Sequence, residues 1–202
     1  MPYRRKDSFY RRARAAGYRA RSAYKLAELD RRYGLLRRGD CVLDLGAWPG
    51  AWLQVTLERI GPEGRVVGVD LVPIEPLAAP NALLLTGDVT APDTTEAIRR
   101  LLGRPADVVL SDLAPKLTGV RATDEARVHA LAEVTVAVLP QLLRRGGRLL
   151  MKLFMTPDYE AVLGQLRSRF AQVVTTRPEA SRRGSAELYV VAAGHRPEPA
   201  GA

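Results

Sequence analysis

The segment Val42-Leu43-Asp44-Leu45-Gly46-Ala47-Trp48-Pro49-Gly50-Ala51-Trp52 limits what this chain can become more than any other. An apolar run closes on an acidic residue, breaks into a turn interrupted by Gly and Pro, and resumes as a helix-like stretch to Ile60. A buried strand that turns on glycine into a helix is where α/β sheets hold a ligand, outside the carboxyl ends of their strands. Glycine lets the backbone come close to that ligand because no Cβ intervenes. The turn carries neither the full G-x-G-x-x-G of dinucleotide folds nor a G-K-[ST] phosphate cradle. Asp44 stands where a polyphosphate would be repelled. A cationic, amine-bearing nucleoside such as S-adenosylmethionine suits the turn better than an anionic one.

The rest of the chain repeats this strand–helix alternation. The pattern predicts a helix over 20–33, a strand Cys41–Leu45, a helix Ala51–Ile60 and a strand Arg65–Val69 ending at Asp70. A strand Ala82–Thr86 ends at Gly87-Asp88, helical residues 94–102 follow, and a strand Asp107–Ser111 ends at Asp112. A long helix over about 124–144, a turn at Gly146-Gly147 and a strand Arg148–Leu153 come next. The pattern closes with a helix over 157–170 and strands at 172–176 and Glu187–Ala193. Strands alternating with helices imply a doubly wound, mostly parallel sheet. The last two strands are joined by a short loop without a helix, so they are expected to be antiparallel, since a parallel return needs a long crossover. That combination fits the seven-stranded, Rossmann-like methyltransferase sheet.

Charge divides the chain differently. Residues 1–38 hold thirteen Lys/Arg against three Asp/Glu, whereas the whole chain has a net charge of +9, so the positive excess lies in the N-terminal segment. Tyr3, Phe9, Tyr10, Tyr18 and Tyr24 are interleaved with it, a pairing of cations and rings that suits phosphate contact and base stacking. We therefore expect a basic, helical N-terminal extension over 1–33 that binds RNA, a catalytic domain over 34–196 and a flexible tail over 197–202. At 202 residues and 47% hydrophobic, the chain can bury a proper core. No apolar run approaches the ~20 residues a membrane span needs. One cysteine, Cys41, and two histidines leave no internal disulfide and argue against a zinc site. A reducing, cytoplasmic setting without membrane or obligate protein partner is the expectation.

Chemistry concentrates in a few polar residues of apolar strands. Asp44, Asp70, Asp88 and Asp112 close the first four strands, so a parallel sheet would bring them to one edge. Asp70 follows the second strand, where nucleotide folds receive ribose hydroxyls, because a carboxylate accepts both hydrogens of a diol. Asp88 suits an adenine amino group. Lys152 lies inside Arg148-Leu149-Leu150-Met151-Lys152-Leu153-Phe154, where a lysine is costly unless it is paired or functional. The bland alternative is a lysine that buries its stem and keeps its head wet at the strand end. Lys25, in an otherwise apolar helix stretch, and Glu187, which opens the last strand, are similar cases.

Taken in order and spacing, Tyr18-Arg19-Ala20-Arg21-Ser22-Ala23-Tyr24-Lys25-Leu26, Val42–Trp52, Asp70-Leu71-Val72-Pro73, Gly87-Asp88, Ser111-Asp112-Leu113-Ala114-Pro115, Met151-Lys152-Leu153-Phe154, and Ser181-Arg182 through Ser185-Ala186-Glu187-Leu188-Tyr189 resemble the FtsJ/RrmJ family of ribose 2′-O-methyltransferases. The resemblance spans nearly all of residues 17–194. It implies that Lys25, Asp112, Lys152 and Glu187 form a K-D-K-E catalytic set. It also implies that Gly50, Trp52, Asp70, Asp88 and Asp112 contact S-adenosylmethionine. The implied substrate is RNA, with a uridine of large-subunit (23S) ribosomal RNA or the large subunit itself as the best guess. Lys152 would serve either as a base or as a cation that stabilises the developing alkoxide. Asp112 would orient the ammonium and the methyl donor, and Glu187 would fix a lysine or the ribose.

The chain departs from the family pattern in the turn, where Trp48 replaces Ala and Ala51 replaces Gly. It also has Lys116 for Asn after D-x-A-P, and Met155-Thr156-Pro157 where bacterial relatives usually have Gln-Gly. Other readings are methylation of another RNA such as tRNA, or a non-catalytic RNA-binding factor for ribosome assembly on the same fold. A base amino-methyltransferase is weaker, because Lys116 stands where its D-P-P-Y motif needs a ring to stack a flipped base. A dehydrogenase is weakest, lacking the G-x-G-x-x-G turn.

Overall fold

The computed structural model describes residues 8–116, 118–180 and 186–197, with side chains described from residue 11. Tyr3, the side chains of Phe9 and Tyr10, the motif residues 181–185 and the tail 198–202 lie outside the described residues. Seven strands form one sheet: β1 (Cys41–Leu45), β2 (Arg65–Asp70), β3 (Ala82–Thr86), β4 (Ala106–Ser111), β5 (Leu143–Phe154), β6 (Phe170–Thr176) and β7 (Glu187–His195). Six helices accompany them: α1 (Ser8–Ala15), α2 (Ala23–Tyr33), α3 (Ala51–Ile60), α4 (Pro92–Leu102), α5 (Arg121–Leu142) and α6 (Tyr159–Arg169).

The strand order is β3-β2-β1-β4-β5-β7-β6, parallel through β5 and antiparallel at β7 and β6. Every residue of β1 and β4 is buried, as expected for central parallel strands covered by helices on both faces. Alternation divides their side chains between two cores. Leu43, Leu45, Leu149, Met151 and Val190 pack under α4, α5 and α6. Val42, Leu150, Tyr189 and Val191 pack under α2 and α3, with Leu26, Leu29, Trp52 and Leu53. Lys152 lies two residues beyond Leu150, so it too faces α2. α2 is thus part of the same packed body as the sheet, with Leu26 and Leu29 fully buried.

Several element boundaries differ from the sequence expectation, the start of β5 by the most. Residues 20–22 form turns and α2 starts at Ala23. The expected turn at Gly146-Gly147 lies inside β5. Ala106 pairs with Leu143 and Val108 with Arg148, so residues 144–147 bulge out of an otherwise continuous strand. Gly146, at φ +74°, supplies the left-handed residue that the bulge needs. No helix among the described residues is long and apolar enough to cross a membrane.

Candidate active site

Strand order reverses between β1 and β4, which opens a crevice at the carboxyl edge of the sheet. A cavity of about 370 Å³ lies in that region, lined by Asp70, Leu71, Asp88, Leu113, Pro115 and Leu131 among others. Asp70 is fixed by two backbone donors, the Trp48 N–H on one oxygen and the Val72 N–H on the other, each at 2.9 Å. Both oxygens keep a lone pair for a diol. Asp88 Oδ1 accepts the Thr90 N–H and hydroxyl at 2.8 and 2.7 Å. Those bonds hold its carboxyl below the usual range and leave Oδ2 for an outside donor.

The turn after β1 is braced from beyond the sheet. Gly50 has φ +104°, and a Cβ there would sit 2.7 Å from Nη1 of Arg19. That guanidinium donates to the carbonyls of Pro49, Glu75 and Pro76 at 3.0, 2.7 and 2.8 Å. Arg19 therefore ties the turn to the segment after β2, and its charge serves the fold. Asp44, just before the turn, is fully buried, and neither carboxylate oxygen has a hydrogen-bond partner among the described residues. Burial, then the charges of Asp112 and Asp70, push its carboxyl well above the ordinary range. Three acids thus meet where, among the described residues, no cation pairs with Asp44. This is the environment that an amine- and sulfonium-bearing ligand would complement, and S-adenosylmethionine fits the donor set.

Next to the cavity, five polar residues from distant parts of the chain join in one series of hydrogen bonds and ion pairs. Lys25 donates to Glu187 Oε2 at 2.9 Å and to the Tyr189 hydroxyl at 3.3 Å. Tyr189 donates to Asp112 Oδ1 at 3.0 Å. Lys152 reaches the same Oδ1 at 3.1 Å and the Asp112 carbonyl at 2.8 Å. The geometry follows from register. Lys152 pairs with Tyr189 and Phe154 with Glu187 across β5 and β7, so Lys152, Tyr189 and Glu187 share the face toward α2. The Lys152 side chain is only 5% exposed. It does not snorkel.

A family model described as FtsJ-like methyltransferase matches residues 18–195. The chain belongs to that family. Among similar proteins, a Ribosomal RNA large subunit methyltransferase E of Methanothermobacter thermautotrophicus is 44% identical over 93% of this chain and 89% of its own length. One of Acidiphilium cryptum is 46% identical over 95% of this chain and 84% of its own length. A Plasmodium falciparum protein described as a ribosomal RNA methyltransferase has a structure that superposes with TM-score 0.77 at 27% identity, covering 88% of this chain and 98% of that one. Aeropyrum pernix fibrillarin, solved with S-adenosyl-L-methionine, shares the fold at TM-score 0.58 and 22% identity, over 85% of this chain and 76% of that one.

Within this FtsJ-like chain, Lys25, Asp112, Lys152 and Glu187 come together, and Asp70 and Asp88 line the cavity beside them. Gly50 opens α3 at the turn. Trp52 is placed elsewhere: it is buried, donates its indole N–H to the Ser22 carbonyl at 2.9 Å and packs 6.1 Å from the Tyr189 ring. It braces α2 and β7 rather than lining the cavity. Tyr18 and Tyr24 pack edge to face, 5.9 Å apart, with the Arg12 guanidinium over Tyr24, so these rings are partly engaged within the protein. Two residues were missed as site members. Tyr189 connects the two lysine pairs, and burial, then Asp112 and Glu187, push its phenol well above the ordinary value, so it stays a donor. Its signal was alternation, since it stands two residues after Glu187 on one strand face. Asp44 was visible as a strand-ending acid, but its isolation was not.

Proposed function

We propose that this chain is a cytoplasmic, S-adenosylmethionine-dependent enzyme that methylates a ribose 2′-hydroxyl of RNA, with large-subunit ribosomal RNA as substrate. The observation that carries the reading is the series Lys25–Glu187, Tyr189, Asp112–Lys152 beside a cavity walled by Asp70 and Asp88. The names of the relatives support ribosomal RNA as the substrate. Arg11, Arg12 and Arg14 are exposed on or beside the helix that meets Tyr24, the neighbour of Lys25, which puts basic charge next to the catalytic helix.

In this reading Asp70 holds the cofactor ribose, Asp88 its adenine amino group, and Asp44 its positive charge. Bound S-adenosylmethionine supplies a methyl group already activated by the sulfonium. The protein then has to align the RNA ribose and remove one proton. Lys152 donates to the Asp112 carbonyl, and its Nζ lies 3.1 Å from Asp112 Oδ1. As the base, its amine lone pair takes the 2′-hydroxyl proton. Lys25, held between Glu187 and Tyr189, stabilises negative charge on the ribose oxygen.

The test uses large ribosomal subunits from cells lacking this enzyme, with labelled S-adenosylmethionine. One labelled nucleotide whose 3′ phosphodiester resists alkaline hydrolysis is the expected result, because a methylated 2′-oxygen cannot attack it. Label on a base, or no label on any RNA, overturns the reading, and label confined to tRNA replaces the substrate. In calorimetry, Asp70→Ala should weaken S-adenosylmethionine binding by about 1–3 kcal/mol.

A further inference from the structure

The amino edge of the sheet, opposite the cavity, gathers arginine from every part of the chain. Arg38 precedes β1, Arg65 opens β2, Arg104 precedes β4, and Arg144 and Arg145 lie in the β5 bulge. Because β7 runs antiparallel to β5, its last residue, His195, and the following Arg196 return to this same edge. Contacts link neighbouring members of the row. Arg38 lies against Gly61, and Arg65 donates to the carbonyls of Leu101 and Leu102, each at 3.2 Å. Arg104 and Arg144 share Asp107, and the Arg144 carbonyl lies 3.2 Å from His195 Nδ1. A recess of about 260 Å³ opens between Arg65 and Arg104.

The acids of this edge do not balance it outwardly. Asp40 is buried and paired with Arg148, and Asp107 is buried between Arg104 and Arg144. Glu63 stands exposed in the recess against the row. Arg38, Arg145 and Arg196 are exposed, and their guanidiniums have no hydrogen-bond or ion-pair partner among the described residues. The ordinary reason for arginine at this edge is that helices end here and expose carbonyls. That accounts for Arg65 at the end of α4 and for Arg38 beside the end of α3. It does not account for Arg145 in a strand bulge or Arg196 after a strand.

We propose that this edge is a second RNA-binding face, which grips phosphates of the same folded RNA at a point remote from the methylated ribose. The proposal rests on the reading of the substrate as a large ribosomal RNA. From β2 to β7 the row crosses four strand spacings, about 19 Å, enough for several successive phosphates. Unpartnered guanidiniums are suited to such contacts, since each presents a fork of donors matched to phosphate. The contacts position the protein without reading sequence.

The experiment uses the full-length protein with Arg38→Glu, Arg145→Glu and Arg196→Glu combined, and a matched triple Arg→Lys variant. With large subunits as substrate, the Glu variant should raise KM at least tenfold and leave kcat and S-adenosylmethionine affinity within twofold of wild type. Its log–log salt slope for binding ribosomal RNA should fall by about 2 to 3, one counterion contribution per lost contact. The Lys variant should keep most of the slope. If the triple Glu variant melts below wild type, Arg145→Glu and Arg196→Glu are measured singly, each expected to lower the slope by about 0.7–0.9. An unchanged KM and slope in a folded Glu variant overturns the second face. A slope lowered equally by Lys and Glu overturns it too, because charge would then not be the cause. If wild type transfers no methyl to subunits while the Glu variant still loses its slope, the proposed reaction fails and the RNA face stands.

Discussion

Asp44 and Asp107 are both buried aspartates of the central parallel strands, one near each edge of the sheet, and their surroundings are opposite. Burial pushes the Asp107 carboxyl up, but hydrogen bonds from Arg104, the Cys41 N–H and Arg144 outweigh it and leave the group at about 2. Those donors lie at 2.6, 2.8 and 2.5 Å. Asp44 has no such donor, and its carboxyl is pushed well above the ordinary range. Asp107 at the amino edge is therefore internally satisfied and supports the fold. The carboxyl edge keeps polar groups unsatisfied or paired only with one another, which costs stability and leaves them available to a ligand.

If that contrast is right, changes at the carboxyl edge should cost function with little loss of stability. The largest effect is expected for Lys152→Ala, a fall in methyl transfer of about 10²- to 10⁴-fold, the range of a lost general base, with the melting temperature and S-adenosylmethionine affinity retained. Lys152→Arg sharpens the test, because arginine keeps the charge but does not release its proton near neutral pH. Substantial activity in that variant, measured as labelled methyl incorporated, would replace the base by an electrostatic role.

Asp44→Asn should move two quantities in opposite directions. The folded pKa of Asp44 lies above its unfolded value, so its ionisation opposes folding as pH rises above about 4. Removing the acid should raise the melting temperature of the ligand-free protein at pH 7 and not at pH 3. Cofactor affinity should drop about ten- to a hundredfold, the scale of a lost charged partner. A variant that loses stability and binds normally would place Asp44 with the structural acids.

Asp107→Asn tests the other edge. Its folded pKa lies below the unfolded value, so its contribution is present above about pH 5 and lost as pH falls toward 2. The variant should lose about 2 kcal/mol of unfolding free energy at pH 7 and almost none at pH 2, with cofactor affinity unchanged. The smallest effect is expected for Tyr189→Phe, a fall in kcat of about five- to tenfold from one buried hydrogen bond. Its KM for RNA should stay near wild type. A large stability loss would instead make Tyr189 a purely structural bridge.

Much of the fold was legible because parallel strands read as apolar runs, and Cys41–Leu45, buried throughout, and Ala82–Thr86, at the edge of the sheet, match residue for residue. The bulge at 144–147 was not, since a glycine pair in sequence reads alike as a turn between elements or a break within one. Lys152 was legible as a cation that an apolar strand does not tolerate unpaired. Its partners in space were legible only through the family pattern, because Lys25 and Glu187 are 162 positions apart. The packing role of Trp52 was hidden, since an aromatic beside a ligand turn has the same local sequence whichever way its ring faces. The charge of residues 1–38 was visible as a total. How much of it is engaged, as Arg19 is on three carbonyls, depended on the fold.

The site also has an order of manufacture. Lys25, Asp112 and Lys152 all precede β7 in the chain, and the carboxylate and phenol that hold Lys25 belong to β7. β7 inserts between β5 and β6 rather than adding to a finished edge. Before β7 is made the chain has neither Glu187 nor Tyr189, and Lys25 lacks those partners. A chain that lacks β7 therefore lacks two members of the series, whatever else of it folds.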